Sequence, residues 1–217
     1  MKKTKYIFVV ISLYFGSLAQ AYNPQEGNIS AVFGPVVSKA VFEGPATGSA
    51  TSAMTGIGLL AIGDVNTAGS LEIGVFHLTK QFYREQNGLF VGEQTNLIQI
   101  DMGYRMWLGN VFSIGLFLFS SYTIGDFAVV HNDLPAGQTL ETSARDTTEY
   151  GASLSILTEL LNRGPVAMML DTRYSYDVTK RDDERADHFS FLIGLRFLLQ
   201  EKVAPPPRPQ THPQRQR

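Results

Sequence analysis

From about residue 54 to residue 199 the apolar residues recur at every second position, which places them on one face of a strand rather than along one stripe of a helix. In Ile98, Ile100, Met102, Tyr104 and Met106 the even positions are large and apolar, while Gln99, Asp101, Gly103 and Arg105 alternate with them. The same rhythm sets Asp171, Arg173 and Ser175 on one face of the stretch 166–176. It returns on the odd positions of 189–197, and again in 150–156. The alternation predicts eight strands, at roughly 29–42, 54–63, 70–82, 94–107, 111–124, 147–160, 165–178 and 188–199.

Alternation alone fits either a soluble sandwich, with its apolar face turned to a shared core, or a membrane barrel. Three further features favour the barrel. The segments run to about 9–13 residues, the length of a tilted strand that crosses a bilayer and longer than the five or six usual in soluble sheets. Their polar face is rich in Gly and Ser with isolated charges, as a narrow filled lumen requires. Tight links at 64–69, 108–110 and 161–164 carry Gly or Asn, and they alternate with longer links at 43–53, 83–93, 125–146 and 179–187. An up-and-down barrel with both termini in the periplasm has short turns on that side and long loops outside, in this order.

Residues 106–125 contain no charge and compete as a transmembrane helix. Gly109-Asn110 inside that window is a hairpin signal, and the residues after it alternate, so two strands explain the stretch better. Phe117 and Phe119 interrupt the polar side of the second strand and are expected to fill the lumen.

The ends of the chain add context. Lys2, Lys3 and Lys5, an apolar stretch at 7–18 and Ala19-Gln20-Ala21 read as a secretory signal over residues 1–21, with the mature chain starting at Tyr22. The barrel domain is then 22–202, and 203–217, with five of the ten prolines and Arg208, Arg215 and Arg217, reads as an extended periplasmic tail. A contact of this cationic tail with peptidoglycan is the sharper reading of it. The absence of cysteine excludes disulfides, a thiolate zinc site and a lipidated cysteine. A net charge of -2 gives no broad positive field for nucleic acid.

With strand count, loop order and export signal in place, the chain resembles the small outer-membrane barrels of the OmpA/OmpX type over residues 28–199. The most specific piece is the last strand, where Phe189, Phe191, Gly194 and Phe197 are similar to the terminal signal that barrel-insertion machinery reads in that family. The twenty residues beyond Phe197 depart from it, since that signal usually ends the chain or precedes a folded domain. The resemblance implies a closed antiparallel all-β barrel in the bacterial outer membrane, monomeric, in contact with membrane lipid and lipopolysaccharide.

Candidate chemistry falls in the lumen and the loops. Glu72, Asp101, Arg105, Glu149, Asp171, Arg173 and Arg196 form the expected lumen network, which must pair internally because an unpaired buried charge costs several kcal/mol. A salt-bridged plug is the expectation, and a narrow ion-conducting pore gated by the same groups is the alternative. His188 and Ser190 share a face and raise a second alternative, a lipid A deacylase-like hydrolase with a His-x-Ser pair. Their parity points them into the lumen, and Phe191 replaces the asparagine that follows the serine in those enzymes. His77 and His131 lack metal-site spacing, and neither a metal nor an organic cofactor is expected. Trp107, Tyr122, Tyr150, Tyr174 and Tyr176 are expected to form aromatic girdles at the two membrane interfaces. The mixed-charge tip at 180–185 and the long link at 125–146 are the places for a specific surface interaction.

Overall fold

The computed structural model describes residues 22–41 and 52–199. The expected export signal, the tail and most of the link at 43–53 lie outside the described residues. The strands are β1 (Ile29–Ala40), β2 (Met54–Asp64), β3 (Gly69–Gln86), β4 (Leu89–Trp107), β5 (Phe112–Thr123), β6 (Ala128–Asn132), β7 (Thr148–Arg163), β8 (Val166–Asp177), β9 (Glu184–Arg185) and β10 (His188–Leu199), with one 3-10 turn at Ser143–Arg145. Eight of them close a ring in the order β1, β2, β3, β4, β5, β7, β8 and β10, every neighbour antiparallel, and β10 returns to β1 from Ile29↔Leu199 to Ala40↔His188. Closure removes both sheet edges, so the ring satisfies its backbone without help from solvent.

Burial alternates with a period of two and is inverted relative to a soluble protein. Phe33, Leu59, Ile73, Met102, Leu118, Leu154, Ile193 and Phe197 are exposed, whereas Arg105, Arg173, Glu72 and Asp101 are buried to within 1%. A soluble monomer rarely exposes apolar patches beyond a few hundred Å², and here the apolar rows run right round the ring.

One rim carries the tight turns at 65–68, 108–111 and Gly164-Pro165 together with both ends of the ring; the other carries the longer connections. The link expected at 83–93 is instead a β-hairpin. β3 and β4 pair without interruption from Gly69↔Met106 to Gln86↔Leu89 and turn on Asn87 and Gly88, both at positive φ. This is the two-residue hairpin turn whose twist matches the strands. β2 leaves β3 at His77 and β5 leaves β4 at Leu97, so the distal half of the hairpin stands clear of the ring. Its apparent loop character came from Gln, Asn and charged side chains, of which Glu85, Gln86 and Asn87 are exposed while Gln81 and Glu93 are buried.

The 125–146 link also contains structure. β6 joins the free edge of β4, and β9 joins that of β3, giving a protruding four-stranded sheet. The 3-10 turn folds over its inner side, where Phe82 packs with Ala144 and Ala186.

Candidate functional site: a filled lumen under a loop cap

The lumen is divided along its length. Val32, Val36, Leu60, Ile62, Leu192 and Gly194 point inward from β1, β2 and β10 and form an apolar wall with Phe76, Leu78, Leu157 and Met169. Gly34 permits close approach there, because a Cβ would run into the Ile193 carbonyl oxygen. The expectation of a polar interior holds only in part: the central charges sit on β3, β4 and β8, and at that level β1, β2 and β10 present an ordinary hydrophobic core.

Against that wall lies the central ion cluster. Arg173 donates to Asp101 at 2.5 Å, Glu72 at 2.7 Å and Asp171 at 2.9 Å. Its guanidinium sits between the rings of Phe76, 4.8 Å from the centroid, and Phe117, at 4.5 Å. Arg105 donates to Glu72 at 2.5 Å, Ser113 at 3.1 Å and Ser155 at 2.9 Å. Ser155 in turn donates a short hydrogen bond to Asp171, and Gln99 donates to Asp101. Three carboxylates thus share two guanidiniums, with every charged group bonded on more than one side. The planar fork of arginine, with five donors, suits such multiple pairing.

Glu149 and Arg196 do not join this cluster. Glu149 and Asp177 receive Lys80, at 3.1 and 2.8 Å, under the loop rim. At the turn rim Arg196 stands 2.8 Å from Glu159 and 4.1 Å over the ring of Tyr22. Tyr22 also donates to Asp64 at 2.6 Å and packs against Trp107, whose Nε1 donates to Ser70. Sequence reasoning missed Lys80, Asp177 and Glu159, although each has the inward parity of its strand. Tyr22 folds back into the mouth from a segment without periodicity and left no signal.

Trp107 is the clear correction among the aromatics: it is 7% exposed and faces inward, in step with Asp101 and Arg105, rather than outward in a girdle. Tyr122, Tyr150 and Tyr176 are exposed at the loop ends of their strands, and Tyr174 is half-buried with its hydroxyl on Asp187. Phe189, Phe191 and Phe197 face outward, and Gly194 faces in, against Val32. Phe117 and Phe119 fill the lumen.

His188 and Ser190 are both buried inside the ring, and among the described residues neither ring nitrogen of His188 has a hydrogen-bond partner, the serine included. His77 is exposed, and His131 stands 2.9 Å from Asp133. Among the described residues no three metal-binding side chains converge.

The cap is built on two buried carboxylates. Glu93 accepts from Arg145 at 2.6 Å and from both the N–H and hydroxyl of Thr142. Glu184 accepts from the Ser143 N–H at 2.7 Å, the Ser143 hydroxyl at 2.5 Å and the Arg181 N–H at 2.7 Å. Glu93 thereby ties both ends of the 3-10 turn to the protruding sheet, and Glu184 ties its first residue. Burial opposes the charge on Glu93, but the hydrogen bonds from Arg145 and Thr142 outweigh it and hold the carboxyl below the usual range.

A closed eight-stranded antiparallel ring, apolar without and filled with side chains within, is the fold of the small outer-membrane barrels. Among solved structures the chain is similar to Ail, the attachment invasion locus protein of Yersinia pestis, solved with the heparin analogue sucrose octasulfate. The TM-score is 0.51 at 11% identity, covering 81% of this chain and all of that one. It is likewise similar to the outer membrane protein OprG from Pseudomonas aeruginosa, with a TM-score of 0.50, 8% identity, and 82% and 99% of the two chains covered. At such identities the likeness is one of fold. No family model matches the sequence, and no curated protein is significantly similar to it.

Proposed function

We propose that this protein is a monomeric outer-membrane barrel whose lumen is closed, with its longer connections outside the cell, acting as a structural or surface-interaction protein through its loop cap. The observation that carries this reading is the Arg105 and Arg173 cluster, at 0–1% exposure, filling the cross-section against the apolar wall. Membrane lipid covers the apolar belt, and lipopolysaccharide meets the loop rim. The outward Phe189, Phe191 and Phe197 with Gly194 serve the insertion machinery, and the cationic Pro/Arg-rich sequence 203–217 suits a contact with peptidoglycan.

A narrow pore would have to open the central cluster, which costs several kcal/mol for each charge left unpaired. The hydrolase reading has less support, because His188 and Ser190 face the lumen and not the lipid. The Ail neighbour was solved with a sulfated saccharide analogue, but the cap here carries an excess of carboxylates, which favours a cationic partner. Fractionation tests the assignment: the protein is expected in the outer membrane, migrating faster on a gel before boiling than after. Recovery as a soluble periplasmic protein contradicts it.

A further inference from the structure

The turn-side mouth of the lumen holds an aromatic ring that comes from outside the strands. Residues 22–28 lead into β1, and the Asn28 N–H donates to the Gln25 carbonyl at 3.0 Å across a turn that has Gly27 at a φ of 86°. Such a turn, with glycine in the left-handed region, reverses the chain direction. Asn23, Gln25, Glu26 and Gly27 are exposed, whereas Tyr22 and Pro24 are buried. The segment is a strap, largely in solvent, whose far end is held by the Tyr22 side chain.

The slot that receives this ring is built from three different groups. The Trp107 indole lies with its centroid 4.7 Å from that of Tyr22, and the Arg196 guanidinium stands 4.1 Å from the Tyr22 centroid. At the edge Asp64 accepts from the Tyr22 hydroxyl at 2.6 Å, from the Gln25 N–H at 3.0 Å and from the Ser70 hydroxyl at 2.7 Å. These donors are all neutral, so the buried carboxylate depends on each of them. Arg196 is 2% exposed, and among the described residues its Nε and Nη1 have no hydrogen-bond partner. An aromatic face over a desolvated guanidinium offsets part of that loss by cation–π attraction.

The three groups together are selective. A plain hydrocarbon ring would suit the indole and the guanidinium but would leave Asp64 short of a donor. A small anion would suit Arg196 but would meet the carboxylates of Asp64 and of Glu159, which is 2.8 Å from Arg196. A phenol satisfies all of them at once.

We propose that the turn-side mouth is a binding slot for a phenolic ring, occupied in cis by Tyr22, so that residues 22–28 act as a tethered ligand. The ring supplies apolar contact to Trp107 and a π face to Arg196, and its hydroxyl supplies the donor that Asp64 needs. The slot lies at the opposite end of the barrel from the cap, and the inference is independent of lumen closure by the central cluster and of location in the cell.

Trp107 is the only tryptophan in the chain, so its fluorescence reports on the slot. The full chain, folded in detergent micelles, is expected to show blue-shifted emission that acrylamide quenches little. In Tyr22→Ala the emission should move to the red and quenching should rise, and p-cresol should restore protection saturably. Toluene, which lacks the hydroxyl, is expected to bind about tenfold more weakly. The wild type should not respond to p-cresol, because the tethered ring already fills the slot. Tyr22→Phe, which keeps the ring and therefore the packing, should be quenched more than the wild type and carries the test if Tyr22→Ala does not give the fast-migrating compact species. Unchanged Trp107 emission in folded Tyr22→Ala, no saturable effect of p-cresol, equal binding of toluene and p-cresol, or a Tyr22→Phe protein indistinguishable from the wild type overturns the proposal.

Discussion

The two halves of the lumen do the same structural work with different chemistry. At mid-height the inward positions of β10, β1 and β2 are valines, leucines and glycines that pack as any core does, with Arg196, His188 and Asp64 at the strand ends; on β3, β4 and β8 they include arginines and carboxylates that must solve a pairing problem before they can be buried. The apolar wall tolerates small errors, since removing a methylene costs roughly 1 kcal/mol and nothing else is left exposed. The charged wall does not, because deleting one partner strands the others. Stability on one side is distributed, and on the other it is concentrated in two guanidiniums.

Arg173→Ala probes that contrast at its largest. It leaves Asp101, Glu72 and Asp171 with only Arg105 among them, and a loss of about 3–5 kcal/mol is expected, read as a fall in the temperature at which the compact gel species disappears. Leu60→Ala on the opposite wall is expected to cost about 2–4 kcal/mol by leaving a cavity beside Phe76 and Val32. Equal tolerance of the arginine change would break the distinction between the walls.

The cap extends the comparison outward. Glu93→Gln removes the carboxylate that holds Arg145 and Thr142, and it is expected to loosen the 133–142 segment by about 1–3 kcal/mol. Protease cleavage there should rise while the melting of the ring is unchanged. A smaller effect follows from pH. The folded-state carboxyl of Glu93 titrates below its unfolded value, so its contribution is fully present above the usual glutamate range and is lost as pH falls through the depressed folded value. Cap cleavage should therefore increase on acidification from pH 5 to about pH 3, and the increase should be absent in Glu93→Gln.

The same division marks what the sequence revealed. All eight ring strands were legible because a face buried on one side of a closed sheet imposes a period of two, and the inward parity of Asp101, Arg105, Asp171 and Arg173 followed directly. Parity also placed Trp107 inside, but its position at a strand end read as a girdle; the residue's step with Arg105 was the better guide. Lys80 and Asp177 escaped notice because they sit at the rim, where an inward polar residue meets either lumen or solvent and alternation does not distinguish them. In the cap the signal disappears: Glu93 and Glu184 look like solvated charges until a distant loop supplies donors, and the 83–93 hairpin looks like a loop because its charged, Gln and Asn residues obscure any clear alternation, although Tyr83, Phe90 and Val91 are buried.

Closure of the lumen is tested most directly by conductance of the purified protein in a planar bilayer, alongside Arg173→Ala. The wild-type protein is predicted to give no steady channels, with openings appearing only when the central guanidinium is removed. Reproducible wild-type channels whose conductance is unchanged in Arg173→Ala would contradict a lumen sealed by that cluster.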